Sequence, residues 1–348
     1  MTDRVPAADR LPEEREEIAL TAGSVGRPAA ATSASGSVAV PERPALEPAG
    51  ETLTYESGVE LEARSQWAYA RMRFFRHRLA VASLVVLILV ALVGIFAKRV
   101  APYAFDELDL NNITAKPTLD GKHLFGTDLL GRDYLSRVIY GLRTSLWVAL
   151  VVATLSTAIG TTIGAIAGYY GGAVDNMLMR LTDLFLVLPF LAVLLVLSAF
   201  LGHGKPVRVA FIVALLLWTF LARIVRGVFL SLREKEFVEA AKAAGASDLR
   251  IIVRHILPNC MGPIVVTMTL FIATAILLEA ALSFLGFGID PPTPALGKLI
   301  AEGESQGLES WWLVTFPGLV IVIICLAVNF VGDGLRDALD PTQRRTRA

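Results

Sequence analysis

The sequence predicts an all-α integral membrane protein with six transmembrane helices. Three observations carry that class. Apolar residues make up 54% of the 348, charged residues 18%, and mean hydropathy is +0.59. Six runs approach the roughly 20 apolar residues that a bilayer span requires. Lys and Arg gather in alternate connecting segments, as the topology of a multi-span protein demands. Net charge is zero, so no basic field argues for nucleic acid as a partner.

Residues 1–60 are rich in Ala, Pro, Glu, Ser and Gly and carry no periodic apolar run. They are expected to form a disordered extension. Acids and prolines stand where a secretory signal would need its apolar core. Residues 61–78 follow as a basic interfacial helix, with Trp67, Ala70, Phe74 and Phe75 on one face. Arg64, Arg71, Arg73, Arg76 and Arg78 surround that face, a pattern suited to lipid headgroups. A transmembrane domain is expected over 79–340, with spans near 79–97, 144–167, 184–201, 207–225, 263–285 and 312–331. Arg208 and Arg223 bracket the fourth run and can snorkel to opposite interfaces. Pro189 and Pro317 are candidate kinks in the third and sixth. A cytosolic tail, 341–348, ends the chain.

Orientation follows from the short flanks. With the N-terminus inside, inner segments hold seventeen Lys and Arg against eight outside, which puts both termini and the loop 226–260 in the cytosol.

That loop is the most informative stretch. Phe237, Ala240, Ala241 and Ala244 recur at i, i+3, i+4 and i+7, giving one narrow apolar face on a helix. Three alanines let such a face approach a partner closely, with Phe237 as its bulky anchor. Lys235, Glu239 and Lys242 lie opposite, where Glu239 can meet either lysine. Gly245 falls where a left-handed cap needs a residue without a Cβ. Ser247 and Asp248 can cap a second helix, Leu249 to Ile256, which Pro258 is expected to end.

Glu239-Ala240-Ala241, three residues, Gly245, then Leu257-Pro258 resembles the EAA signature of binding-protein-dependent ABC importer permeases. Glu279-Ala280-Ala281 repeats the triplet without the later glycine. His255 departs from the strict pattern, which has isoleucine there. A second likeness begins at His123-Leu-Phe-Gly-Thr-Asp-Leu-Leu-Gly-Arg-Asp-Tyr134 and continues through Gly168-Tyr-Tyr-Gly-Gly172, Asp183 and Leu282-Ser-Phe-Leu-Gly286. Over about residues 70–340 the chain resembles the C-type permease of dipeptide and oligopeptide ABC importers. The resemblance implies the type I importer permease fold, in a bacterial inner membrane. It also implies a second permease, two ATP-binding subunits that hold ATP and Mg, and an extracytoplasmic solute-binding protein. The EAA loop would then couple the permease to the ATPases through Phe237, Glu239, Ala240, Ala241, Ala244, Gly245, Leu257 and Pro258. A permease for nickel or another small solute fits the same features, and an ion-gradient-driven transporter is the alternative of another class.

Other features bound the chemistry. Gly126 to Asp133 has the glycine spacing of a phosphate loop but ends Gly-Arg-Asp, where an aspartate would repel phosphate. No other nucleotide motif occurs, so the chain is read as a transport subunit without its own ATPase site or cofactor. Cys260 and Cys325 suggest no disulfide, and the four scattered histidines mark neither a metal site nor a catalytic triad. Leu130, Tyr134, Leu135, Val138, Ile139 and Leu142 form a stripe expected on the outer membrane surface. Ser156, Gly160, Gly164 and Gly168 fall every fourth residue, a spacing for close helix packing within the chain or between permeases. Glu279 is the one carboxylate deep in an apolar run; it either lines the transport path or makes a structural hydrogen bond near an outer gate. Asn329 is a weaker candidate for the path.

Overall fold

The computed structural model describes residues 66–119 and 122–339. The expected extension 1–60, residues 61–65 of the basic helix and the tail 341–348 lie outside the described residues. Among those described, the secondary structure is helical, and extended pairing is limited to two isolated bridges, Thr127 with Asp133 and Gly204 with Ile289.

Helix α1 (Gln66–Arg76) and the first long apolar helix, α2 (Arg78–Ile95), meet at His77. His77 caps α2 by accepting the Ala80 N–H on Nδ1 at 3.1 Å. The apolar face of α1 docks on protein: Ala70 and Phe74 are buried with Ala80, Val331 and Ala338. A short α3 (Ala97–Val100) leads into the loop 101–133.

Helix α4 spans Tyr134–Tyr170, 37 residues. Its N-cap is Asp133, whose carboxylate accepts the Ser136 N–H at 2.8 Å. The stripe expected on the membrane surface is therefore the opening of this helix. Tyr134, Val138, Ile139 and Leu142 are buried in protein, because Tyr134 reaches the Leu313 carbonyl and Gly141 packs on Ala295 and Leu296.

The third expected span, 184–201, is not one helix. Helices α5 (Gly172–Val187) and α6 (Phe190–Leu201) meet at 92° around Leu188-Pro189. Pro189 has no N–H to continue the α5 ladder and is extended at φ −64°, ψ 106°. Among the described residues five helical stretches are long and apolar enough to cross a bilayer, or six where the bent pair is one broken span.

Helix α7 (Pro206–Leu232) supplies the best-covered span. Helix α8 (Glu236–Ala243) is followed by a continuous helical stretch from Asp248 to Phe284. That stretch comprises α9 (Asp248–Arg250), a π turn over Ile251–Ile256 and α10 (Leu257–Phe284). Pro258 thus ends no helix. The π turn passes the ladder to i−5, with Leu257 N–H donating to the Ile252 carbonyl, so the missing N–H of Pro258 is absorbed at the change of register. Helices α11 (Leu296–Glu304) and α12 (Trp312–Leu339) complete the chain.

The core is organised by the small-residue stripe. Ser156, Gly160, Gly164 and Gly168 are all buried on α4 and face α7. Ser156 Oγ donates to the Ala214 carbonyl at 3.4 Å. A Cβ on Gly160 would lie 2.7 Å from the Trp218 carbonyl, and one on Gly164 2.5 Å from that of Ala222. A Cβ on Gly168 would lie 2.5 Å from Phe229 Cβ. The stripe therefore packs within the chain.

Gly164→Val must drive α4 off α7, and overpacking of this kind costs about 2 kcal/mol or more. Thermal unfolding of the purified protein in detergent is expected to show a lowered midpoint. Gly227→Ala, where a Cβ meets nothing within 4 Å, is the matched control and leaves the midpoint no lower.

Candidate functional site

The loop between α7 and α9 is built from its anchors outward. Val238 is fully buried on α8 and fixes the helix to the body of the chain. Its neighbours turn the other way: Phe237, Ala240 and Ala244 are exposed and Ala241 is half-buried. An apolar face thus points away from the protein that carries it.

A Schellman motif ends α8. Gly245 N–H donates to the Lys242 carbonyl at 2.9 Å and Ala246 N–H to that of Ala241 at 3.0 Å. Gly245 has φ +77° with open space around its Cβ position, so backbone conformation alone demands glycine there. Ser247 stands at the N-cap of α9, yet its side chain makes no cap bond. Asp248 instead accepts the Tyr169 hydroxyl at 2.7 Å.

Both ends of the loop are braced against the end of α4. Arg233 Nη1 donates to the Gly168 and Tyr169 carbonyls at 3.3 and 3.4 Å, and Lys242 Nζ lies 6.0 Å from the Tyr169 ring centroid. The Glu239–lysine pair open to helical spacing is not formed: among the described residues Glu239 makes no ion pair. Leu257 and Pro258 sit at the first turn of α10, with Leu257 packed on the core. His255 is half-buried, and its carbonyl accepts Asn259 Nδ2 at 2.7 Å. The Gly168-Tyr-Tyr-Gly-Gly segment was the sequence signal for this brace, but nothing in its spacing named Arg233 as its partner.

Glu279 lies far from this loop and is fully buried. Ser145 Oγ donates to its Oε2 at 2.8 Å and Ser283 Oγ to its Oε1 at 2.7 Å. The two hydroxyls in turn accept the Leu296 N–H at 3.3 Å and the Ile289 N–H at 3.2 Å. One carboxyl group thereby ties α4, α10 and the connection 285–295 together. Asn329 is exposed on α12, well away from Glu279 in sequence and burial.

Two ion pairs between α5 and α7 escaped the sequence reading. Arg226 meets Asp175 through two bonds of 2.5 and 2.6 Å. Arg223, read as free to snorkel, pairs with Asp183, and both side chains remain about half exposed at 51% and 54%.

At the opposite end, Arg137 Nη1 bonds Asp128 at 2.6 Å and Glu302 at 2.8 Å, and Arg132 Nε bonds Asp128 at 2.7 Å. Asp128, in the phosphate-loop look-alike, is thus occupied by two arginines of its own chain. His123 Nδ1 contacts Asp133 at 3.0 Å. Donation by the Asn112 amide, then the Asn111 N–H, holds the Asp109 carboxyl below its usual range, with His123 adding to the shift. Among the described residues no group of three His, Cys, Asp or Glu is placed to hold a metal.

These features define a class: a multi-span helical membrane protein that presents an apolar loop helix. Residues 160–345 match the family described as binding-protein-dependent transport system inner membrane component. Residues 65–117 match the N-terminal TM domain of oligopeptide transport permease C. The oligopeptide transport system permease protein OppC of Haemophilus influenzae is 42% identical over 82% of this chain and 92% of its own. OppC of Escherichia coli K12 is 42% identical over 84% and 97%, and OppC of Mycobacterium bovis 41% over 79% and 94%. Among solved structures, the inward-facing MetNI methionine ABC transporter aligns with 59% of this chain and 96% of its own, at 18% identity and a TM-score of 0.48. The chain belongs to the binding-protein-dependent inner membrane permeases, among the C-type permeases of oligopeptide ABC importers.

Glu279→Ala leaves two buried hydroxyls without their acceptor, at a cost of about 2 kcal/mol. Thermal unfolding is expected to show this loss, with earlier proteolysis in 286–295, while Glu279→Gln retains most of the stability.

Proposed function

We propose that this chain is the membrane-spanning subunit of an ATP-driven importer of di- or oligopeptides. The substrate class rests on the names of the OppC relatives and on the length over which they match. The chain would pair with a second permease to enclose the path. Two ATP-binding subunits, holding ATP and Mg, would sit beneath it, and an extracytoplasmic solute-binding protein would deliver substrate. Both termini and the loop 226–260 would face the cytosol, in keeping with the excess of basic residues on that side.

The observation that carries the coupling role is the outward face of α8. Exposed Phe237 with Ala240 and Ala244 offers an anchor and a close approach, Gly245 and the Ala241 carbonyl set the turn that ends the helix, and Glu239 stands exposed beside that face. Leu257 and Pro258 return the chain to the membrane at a stiff helical joint. Movement of this face by an ATPase would be delivered through Arg233 and Asp248 to α4. The bundle would then alternate between inward- and outward-open states, biased by the nucleotide state of the partners. Asp183 and Arg223, paired and half exposed, would lie on the side enclosed by the second permease.

The test is co-purification and uptake with the complete set of subunits. Ala240→Arg is expected to remove the ATP-binding subunits from the purified assembly while the permease stays in the membrane. Gly245→Val is expected to lower uptake of a labelled dipeptide at least about tenfold, because a β-branched residue strongly resists the left-handed turn. Gly245→Asn, which tolerates that turn, keeps most of the uptake. Wild-type uptake in both the Arg and Val variants would end the coupling proposal.

A further inference from the structure

A cavity of about 950 Å³ opens between α2, α4 and the start of α7, apart from the loop and from Glu279. That volume stands at the upper end for ligand pockets. Its walls are apolar, with Leu87 and Ala91 on α2, Leu146 and Leu150 on α4, and Ile272 on α10. Its lining runs along one helical edge from Leu87 to Lys98, eleven residues or about 17 Å by helical rise. Val85, Leu89 and Leu92 beside it are exposed apolar residues, the surface a lipid-facing helix requires.

The mouth differs in chemistry. Lys98 and Arg143 line it, near the loop 101–133, and both are exposed. Among the described residues neither has an ion-pair or hydrogen-bond partner. The lining contains no acidic residue. Tyr140 and Phe105 stand at the rim with ring centroids 5.1 Å apart, in the manner of aromatics at a headgroup boundary. Helices α2 and α4 approach closely at this level, since a Cβ on Gly94 would lie 3.5 Å from Arg143 Cα. That crossing brings Lys98, one helical turn beyond Gly94, to the level of Arg143 on the lining of an apolar trough.

We propose that the trough binds one anionic phospholipid, with its headgroup phosphate on Lys98 and Arg143 and an acyl chain between α2 and α4. Charge complementarity selects this occupant. A zwitterionic head brings a cation to a rim with no acid to meet it, whereas a net-anionic head satisfies both basic side chains. The surrounding bilayer supplies the acyl chain directly from the open side.

Trp147 lines the trough and serves as reporter. The full-length chain is reconstituted in vesicles and titrated with phosphatidylglycerol or phosphatidylcholine carrying brominated acyl chains. The Trp147 signal is taken as the difference from Trp147→Phe. Brominated phosphatidylglycerol is expected to quench at several-fold lower mole fraction, since each cation favours an anionic lipid by about fivefold before salt screening. Lys98→Gln with Arg143→Gln brings the two lipids to parity, and Lys98→Arg with Arg143→Lys keeps the preference. Equal quenching by both lipids in the wild type overturns the proposal, as does a preference that survives in the double Gln variant. Displacement by inorganic phosphate would make the mouth a free-anion site instead. Loss of the preference on assembly with the other subunits would make the trough a subunit interface, and either result also rejects the lipid.

Discussion

Three glycines and a serine hold α4 so close to α7 that main-chain carbonyls occupy the places of side chains. In a bilayer the hydrophobic effect gives neighbouring helices little reason to associate, and close packing must supply the cohesion. Ser156, Gly160, Gly164 and Gly168 meet Ala214, Trp218, Ala222 and Phe229 along one seam. Helices α5 and α10 and the loop after α7 are tied to that pair, while α1 packs on α12. The Asp175–Arg226 pair ties α5 to α7, α10 is pinned to α4 through Glu279 and Ser145, and the braced loop begins where α7 ends.

The two polar clusters at the far ends of α4 work differently from the seam. At one end Asp128, Arg132, Arg137 and Glu302 form an ionic knot that closes the loop 101–133 on α11. Tyr134 and Trp312 complete it by donating to main-chain carbonyls across the same joint. At the other end neutral carbonyls of Gly168 and Tyr169 receive Arg233. Those carbonyls have no intrahelical partner at a helix terminus, so a guanidinium there satisfies acceptors that would otherwise need water and lies at the favourable end of the helix dipole.

Much of this was legible in the residues. The apolar runs overlap α2, α4, α7, α10 and α12, while 184–201 is split between α5 and α6; the four-residue spacing is the one that faces α7, and the family resemblance pointed to the right permease class. What the sequence concealed was long-range pairing. Periodicity placed Phe237 on an apolar face but could not show that Val238, one residue on, is the buried anchor. Pro258 read as a stop because a missing N–H usually ends a helix, and a π turn removed that conflict by shifting register. Pro189 promised a kink, while the actual break of 92° depends on packing that no local rule encodes. Arg223 looked solitary because its carboxylate lies forty residues earlier.

The brace at Arg233 and Asp248 has a mechanical meaning of its own. Both ends of the loop grip the last turn of α4, so a load on Phe237 has little slack to take up before it reaches that helix. Helix α4 is 37 residues long, about 55 Å of nearly incompressible rod by helical rise. On the proposed coupling role, a displacement at its Tyr170 end would be carried along one unbroken helix to the ionic knot at its Tyr134 end.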